Sequence, residues 1–453
     1  MKKDILILAA AKRTLLLLLT LTLLLSGTAC RSQQPQTSPS PSPAASPQAS
    51  PEQSAHEPST QALIKILEEN PDVKALLEKS IAKAKEINPD PETNPAQTLE
   101  GYYEYLDWAA KAMPWNISGE LKAFPKLYEK IDQSLNYFYF INDMPLEELE
   151  GKGLYNNSLQ YAEPYRSWLI DFTKQWGEFL STEESWSDEY YELAREDERF
   201  GLDKDWYEDK SNWNSFNDFF SRYLASADRR PIASPEDDSV VVAPADSTPQ
   251  GIWQIDDNNE IVQKEGAVIK SKTFNSIADL IGEGSEYSDA FAGGVLTHTF
   301  LDVYDYHRYH FPVSGVIREV RMIPQDDAVG GAVVWDAEIE KYVLHADTPG
   351  WQMIETRACV IVETEAHGLV ALLPIGMSQV SSVNLEDTVR VGETVKKGDM
   401  LGWFLFGGSD YVMLFQKEAG FELTAPIENQ EGGFEHIFMG EEYGRFGGAE
   451  QGA

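Results

Sequence analysis

The sequence predicts an α+β protein, a helical N-terminal domain followed by a β-rich, barrel-sandwich-like domain that carries the chemistry. Three observations support this. From Thr60 to about Tyr207, apolar and aromatic residues recur at spacings of three and four. After Glu236 the pattern becomes short apolar runs separated by Gly, Asp and Pro. Between the two, Ala225 to Pro235 is polar and turn-like and marks the boundary. A chain of 453 residues is also too long for one ordinary core.

The chain begins with Lys2, Lys3, Lys12 and Arg13, then the apolar run Leu15–Leu25 and the small residues Ser26-Gly27-Thr28-Ala29 before Cys30. A basic start, a short apolar stretch and small residues predict a secretory signal over residues 1–30. The small residues ending at Cys30 are similar to a bacterial lipoprotein signal, in which the cysteine is lipidated; Gly27 stands where that pattern prefers Leu. Residues 31–58 are Ser, Pro, Gln and Ala with almost nothing to bury, the composition of a disordered spacer. Together they predict an exported bacterial lipoprotein held off a membrane by its linker.

Residues 59–225 form the predicted helical domain. Leu63, Leu67, Leu77 and Ile81 define an apolar face over Thr60–Ile87, with Pro71 breaking it into two helices. The later stripe Tyr165, Trp168, Leu169, Phe172 and Trp176 reads as core packing rather than a cofactor site. Residues 226–428 form the β-rich domain, and a Gly/Glu-rich tail over 429–453 follows. The stretch Val391 to Gly402 reads as a hairpin turning at Lys397-Gly398-Asp399, with the lysine structural.

Composition limits the partners. With 74 Asp and Glu against 37 Lys and Arg, a net −37, nucleic acid is not expected. Two distant cysteines, Cys30 and Cys359, suggest neither a disulfide framework nor a Cys metal site.

The chemistry-bearing stretch is Phe404-Leu405-Phe406-Gly407-Gly408-Ser409-Asp410-Tyr411-Val412. By itself, a Gly pair inside a strand pattern marks a bulge. Alternatively the Gly408–Ser409 bond is itself a reaction site, with the Ser409 hydroxyl attacking the Gly408 carbonyl carbon. That reading needs a base. Two of only seven histidines, His307 and His310, lie in Asp305-Tyr306-His307-Arg308-Tyr309-His310. As metal ligands they are poorly placed, since this spacing on a strand faces opposite sides, and no metal is expected. Asp246, in Ala243-Pro244-Ala245-Asp246-Ser247, supplies a carboxylate where a strand exits; Asp at a turn is by itself commonplace.

Taken in order, these pieces resemble the phosphatidylserine decarboxylase family of pyruvoyl enzymes. The resemblance runs from Phe216-Asn217-Asp218-Phe219-Phe220 through Arg230-Pro231-Ile232, Pro244-Ala245-Asp246 and Asp305 to Val313. It continues through Gly376 and Val380-Ser381-Ser382-Val383 to Phe406-Gly407-Gly408-Ser409, over about residues 212–425. It implies that Ser409 is the self-cleaving serine, His310 its general base and Asp246 the carboxylate orienting that histidine. Cleavage would release a chain ending at Gly408 and leave residue 409 as a covalent pyruvoyl group. The pyruvoyl ketone would take up a substrate amine and draw electrons from the bond to its carboxylate. The resemblance ties His307 to decarboxylation, as proton donor. Ser247, Ser381 and Asp410 depart from the residues usual at their positions, and Asp410 bears on how a substrate carboxylate is received.

The resemblance implies conversion of phosphatidylserine to phosphatidylethanolamine, a step of phospholipid biosynthesis. Residues from about Leu135 to Trp213 resemble an extension found in a subgroup that includes decarboxylases of free aromatic amino acids, so a free amino acid is the alternative substrate. A non-catalytic exported binding protein on the same fold is a third reading, and self-association stays open.

Overall fold

Leu63 and Leu67 on one helix, and Val73, Leu77, Ile81 and Ala84 on the next, set the first two helices against each other. These are α1, Pro58–Glu69, and α2, Pro71–Ile87, each with proline in its first turn, where the missing N–H costs nothing. The computed structural model describes residues 56–112, 133–152, 157–262, 268–269, 272–273, 275–324, 332–345, 351–376, 382–406, 409–428 and 433–447. The signal with Cys30, most of the spacer and Gly408 lie outside the described residues. Residues Ser54–Ala453 form one compact unit. No helix among the described residues is long and apolar enough to cross a membrane.

The remaining helices are α3 (Leu99–Ala109), α4 (Gln133–Asn142), α5 (Tyr165–Phe179), α6 (Asp188–Glu196), α7 (Phe216–Phe220) and α8 (Ile277–Ile281). Thr98, Ser187 and Ser215 accept from backbone N–H groups three residues on, capping α3, α6 and α7. The aromatic stripe of α5 is core, as its spacing predicts, and it divides between two cores. Tyr165, Trp168, Leu169 and Phe172 pack among the N-terminal helices, whereas Trp176 joins the core under the β-sheet. The helical part therefore extends into the β-rich part instead of ending beside it.

Seventeen strands follow in the described residues. They are β1 (Val240–Val242), β2 (Thr248–Gln254), β3 (Val268–Ile269), β4 (Lys272–Thr273), β5 (Val295–Phe300), β6 (Arg308–His310), β7 (Gly315–Ile323), β8 (Ala332–Asp336) and β9 (Lys341–His345). Next come β10 (Arg357–Glu363), β11 (Leu369–Ile375), β12 (Ser382–Leu385), β13 (Thr394–Val395), β14 (Met400–Leu405), β15 (Asp410–Phe415), β16 (Glu422–Leu423) and β17 (Glu442–Arg445). The largest sheet has the order β13-β7-β10-β11-β15-β5-β2 and two free ends, so it is open. Its middle strands are apolar on both faces. On β15, Tyr411, Met413 and Phe415 enter one core, while Val412 and Leu414 enter the other. Each large side chain so buried contributes roughly 1.5–3 kcal/mol.

Three contacts differ from the sequence reading. The strands flanking Lys397-Gly398-Asp399 are not hairpin partners: β13 pairs with β7, and β14 lies between β12 and β6. The turn is a corner between two sheets, held where Lys397 Nζ donates to the carbonyls of Ser234, Asp237 and Val240. Beyond residue 428, β17 sits between β1 and β16, so the Gly/Glu-rich end contributes a strand. The hairpin β8–β9 packs into the helical core through Val333 and Tyr342, with the Tyr342 hydroxyl donating to Thr93 O at 2.8 Å.

Candidate active site

β6 carries His310, and the turn just before it carries His307; both are placed by antiparallel pairing of β6 with β14. β14 ends at Leu405, just before Phe406, and Ser409 precedes β15. The Ser409 carbonyl accepts from Leu301 N–H at 2.9 Å, fixing that residue beside the end of β5. Asp246 follows β1, and Pro244 O accepts from His310 N–H at 2.8 Å. His310 is thereby brought beside the segment that carries Asp246, and Ser409 beside the end of β5. They are shut from water: Asp246 is 2% exposed, His307 1%, His310 6% and Ser409 1%.

His310 Nδ1 donates to Gly398 O at 2.8 Å, since a carbonyl only accepts. Its Nε2 therefore carries the lone pair, which receives the Tyr306 hydroxyl at 3.2 Å. Burial pushes the His310 imidazole down to about 4, so it is a neutral base at pH 7. The orienting partner is the Gly398 carbonyl, not Asp246 as the resemblance implies. Gly398 can present that carbonyl because its φ is +90° and a Cβ there would lie 2.6 Å from Ile232 Cδ1.

Asp246 is occupied elsewhere. Arg230 grips its carboxylate with Nε to Oδ1 at 2.9 Å and Nη2 to Oδ2 at 2.6 Å, and Met439 N–H adds a bond at 2.8 Å. The guanidinium packs against the rings of Trp206 and Phe438, each 4.5 Å away. What reaches His310 from Asp246 is charge, which favours the protonated imidazole. Ser409 Oγ has no hydrogen-bond partner among the described residues.

His307 stacks on Phe220 with ring centres 3.7 Å apart, and its Nδ1 donates to Asp305 O at 2.9 Å. Arg222 Nη2 donates to the same carbonyl at 3.0 Å. Burial, and then the Arg222 charge, hold the His307 imidazole well below the usual histidine range. It is neutral, so it cannot donate from Nε2 until it has gained a proton.

Asp410 hydrogen-bonds His298 Nε2 through Oδ1, and burial raises its carboxyl pKa. By strand alternation it shares a face with Val412 and Leu414, opposite Tyr411. Sequence reasoning assigned no role to Arg230, Tyr306, Arg222, Gly398 or His298. Arg230 and Tyr306 lie inside the quoted motifs; His298 gave no signal beyond being a polar residue in an apolar run.

The phosphatidylserine decarboxylase family model matches residues 216–445, which include Asp246, His307, His310 and Ser409. Similar proteins include a phosphatidylserine decarboxylase proenzyme 2 of Oryza sativa subsp. japonica, 30% identical over 55% of this chain and 37% of that protein. A phosphatidylserine decarboxylase proenzyme of Fusobacterium nucleatum is 28% identical over 51% of this chain and 70% of its own length. A protein of Amanita muscaria named decarboxylase iboD is 29% identical over 46% of this chain and 59% of its own. The chain belongs to the phosphatidylserine decarboxylase family.

Proposed function

We propose that the chain is a self-cleaving decarboxylase that cuts itself between Gly408 and Ser409 and converts phosphatidylserine to phosphatidylethanolamine. The observation that carries this is a buried serine with an unpartnered hydroxyl beside the end of β5, together with a buried, neutral histidine whose Nε2 lone pair accepts the Tyr306 hydroxyl at 3.2 Å. His310 would take the Ser409 hydroxyl proton as Oγ bonds to the Gly408 carbonyl carbon and the amide nitrogen departs. Loss of the Ser409 α-proton then expels the Gly408 carboxylate, and water displaces the nitrogen as ammonia. Asp246 supports the protonated His310 by charge alone, because Arg230 and Met439 N–H take its hydrogen bonds.

The residues fit a pyruvoyl group at position 409. Its site is enclosed, the serine oxygen is uncommitted, and Leu301 N–H holds the carbonyl that would remain. Such a group supplies an electron sink for loss of CO₂ from an amine-bearing substrate. His307 Nε2 makes no hydrogen bond among the described residues. It can take the proton that an incoming ammonium must shed and return it to the substrate carbon after CO₂ leaves.

A free amino acid is the second reading, supported by the resemblance of the helical extension to that subgroup; from this extension Trp176 meets the Phe406 ring. Membrane anchoring through Cys30 remains a proposal from the sequence. Intact-mass measurement tests the central reading, with two chains meeting between Gly408 and residue 409 expected; an undivided chain refutes it. Assays of the cleaved protein on phosphatidylserine vesicles and on free amino acids then separate the substrates.

A further inference from the structure

β15 is an interior strand of the largest sheet, and Asp410 is its first residue, paired with Phe300 of β5 and Ile375 of β11. In the uncut chain this end is tethered on both sides of residue 409. Upstream, Phe406 N–H is held by Asn217 Oδ1 at 3.1 Å. Scission before residue 409 removes that tether, and chain ends are where strands fray first.

One side-chain bond counteracts fraying at this place. His298 lies on β5 two residues before Phe300, on the same face as Asp410, and its Nε2 bonds the Asp410 carboxylate. Both side chains are about 1% exposed, so the pair sits away from water, where such a bond is strong and not screened by salt. It lies on the face opposite Tyr411 and takes no part in the proton transfers assigned to His307 and His310.

We infer that His298 and Asp410 form a clamp that holds the new terminus on β5 after self-cleavage, keeping residue 409 aimed at His307 and His310. Both are positioning residues, and their role rests on the self-cleavage reading above. Because the uncut chain has a covalent tether, the clamp matters more after the cut than before it. Residue 409 itself is held, among the described residues, by the Leu301 N–H on its carbonyl.

Hydrogen–deuterium exchange of the segment 409–415 tests this, with His298→Ala and His298→Gln each made in the native and the uncleavable Ser409→Ala chain. In the cut protein, His298→Ala should speed exchange at the start of β15 roughly ten-fold or more, with little change in its uncut counterpart. His298→Gln, whose amide can donate to Asp410, should restore most of the protection. kcat should fall with KM nearly unchanged, as expected when the reacting group is misaimed and binding is intact. If His298→Ala fails to fold, Asp410→Asn, which keeps the shape and removes the charge, should loosen the same segment in the cut form only. Equal loosening of cut and uncut chains overturns the clamp and leaves a merely structural pair; no loosening in either also overturns it. A native chain that stays in one piece by mass overturns the cleavage reading and the clamp together, whereas a cut, active protein without the exchange difference overturns the clamp alone.

Discussion

Arg230 holds Asp246 through two parallel hydrogen bonds, Nε to Oδ1 at 2.9 Å and Nη2 to Oδ2 at 2.6 Å, in a pocket from which water is excluded. Removing one partner of such a pair strands the other charge. Arg230→Met should therefore cost about 3–5 kcal/mol in stability, read by denaturant unfolding of the uncleavable Ser409→Ala chain. Arg230→Lys, which keeps the charge without the fork, should recover part of it. A loss under about 1 kcal/mol for Arg230→Met would show that the pair is not what holds Asp246.

Ser409→Ala should remain one chain by intact mass. It should also fold at least as stably as the native precursor, because the hydroxyl removed is buried and makes no hydrogen bond. Retained cleavage would refute Ser409 as nucleophile.

The two histidines should separate. His310→Ala should abolish or greatly slow cleavage, whereas His307→Ala should cleave and then turn over about 10²–10⁴-fold more slowly, the usual contribution of a positioned acid–base group. An uncut His307→Ala chain would merge the two roles.

The pH dependence follows from the His310 pKa, pushed by burial down from 6.5 to about 4. Below pH 6.5 the unfolded chain binds a proton at this residue while the folded chain does not, so folding loses stability as pH falls, until about pH 4. The stability difference between native and His310→Gln chains, both on the Ser409→Ala background, should shift towards the variant across that window, by on the order of 3 kcal/mol. Asp305, raised to about 6 by burial, works in the opposite direction, but it is common to both chains and drops out of the comparison. For the same reason self-cleavage should not lose rate near pH 6.5, as an ordinary histidine base would. A midpoint there would refute a depressed His310.

Gly398→Ala should slow cleavage, because a φ of +90° and a Cβ 2.6 Å from Ile232 Cδ1 both oppose the side chain. Displacing the carbonyl that holds His310 should cost about 1–3 kcal/mol of stability as well. Cleavage and stability like those of the native chain would show that His310 needs no such anchor.

Much of the architecture was legible from periodicity. Spacings of three and four in Leu63, Leu67, Leu77 and Ile81, and in Tyr165, Trp168 and Phe172, report a helix with one buried face, and those residues are buried. Short apolar runs such as Val360–Glu363 and Val370–Pro374 report strands buried on both faces, and they are interior strands. The corner at Lys397-Gly398-Asp399 was read as a hairpin because a turn's residues show where the chain bends, not which sheet each flank joins.

The sequence by itself determined the order of helical and β-rich parts and the motif residues that the family resemblance singles out. Ser409, His307, His310 and Asp246 are recognisable as residue types in ordered motifs. Which atoms meet was decided only by tertiary structure, because hydrogen-bond partners hundreds of residues apart leave no local pattern. Folding gave Asp246 to Arg230 and His310 to the Gly398 carbonyl. It also turned Asp410 to the sheet face opposite Tyr411, against His298. The carboxylate that in sequence stands directly beside Ser409 is therefore bonded on the sheet face opposite Tyr411, since successive side chains on a strand point to opposite faces.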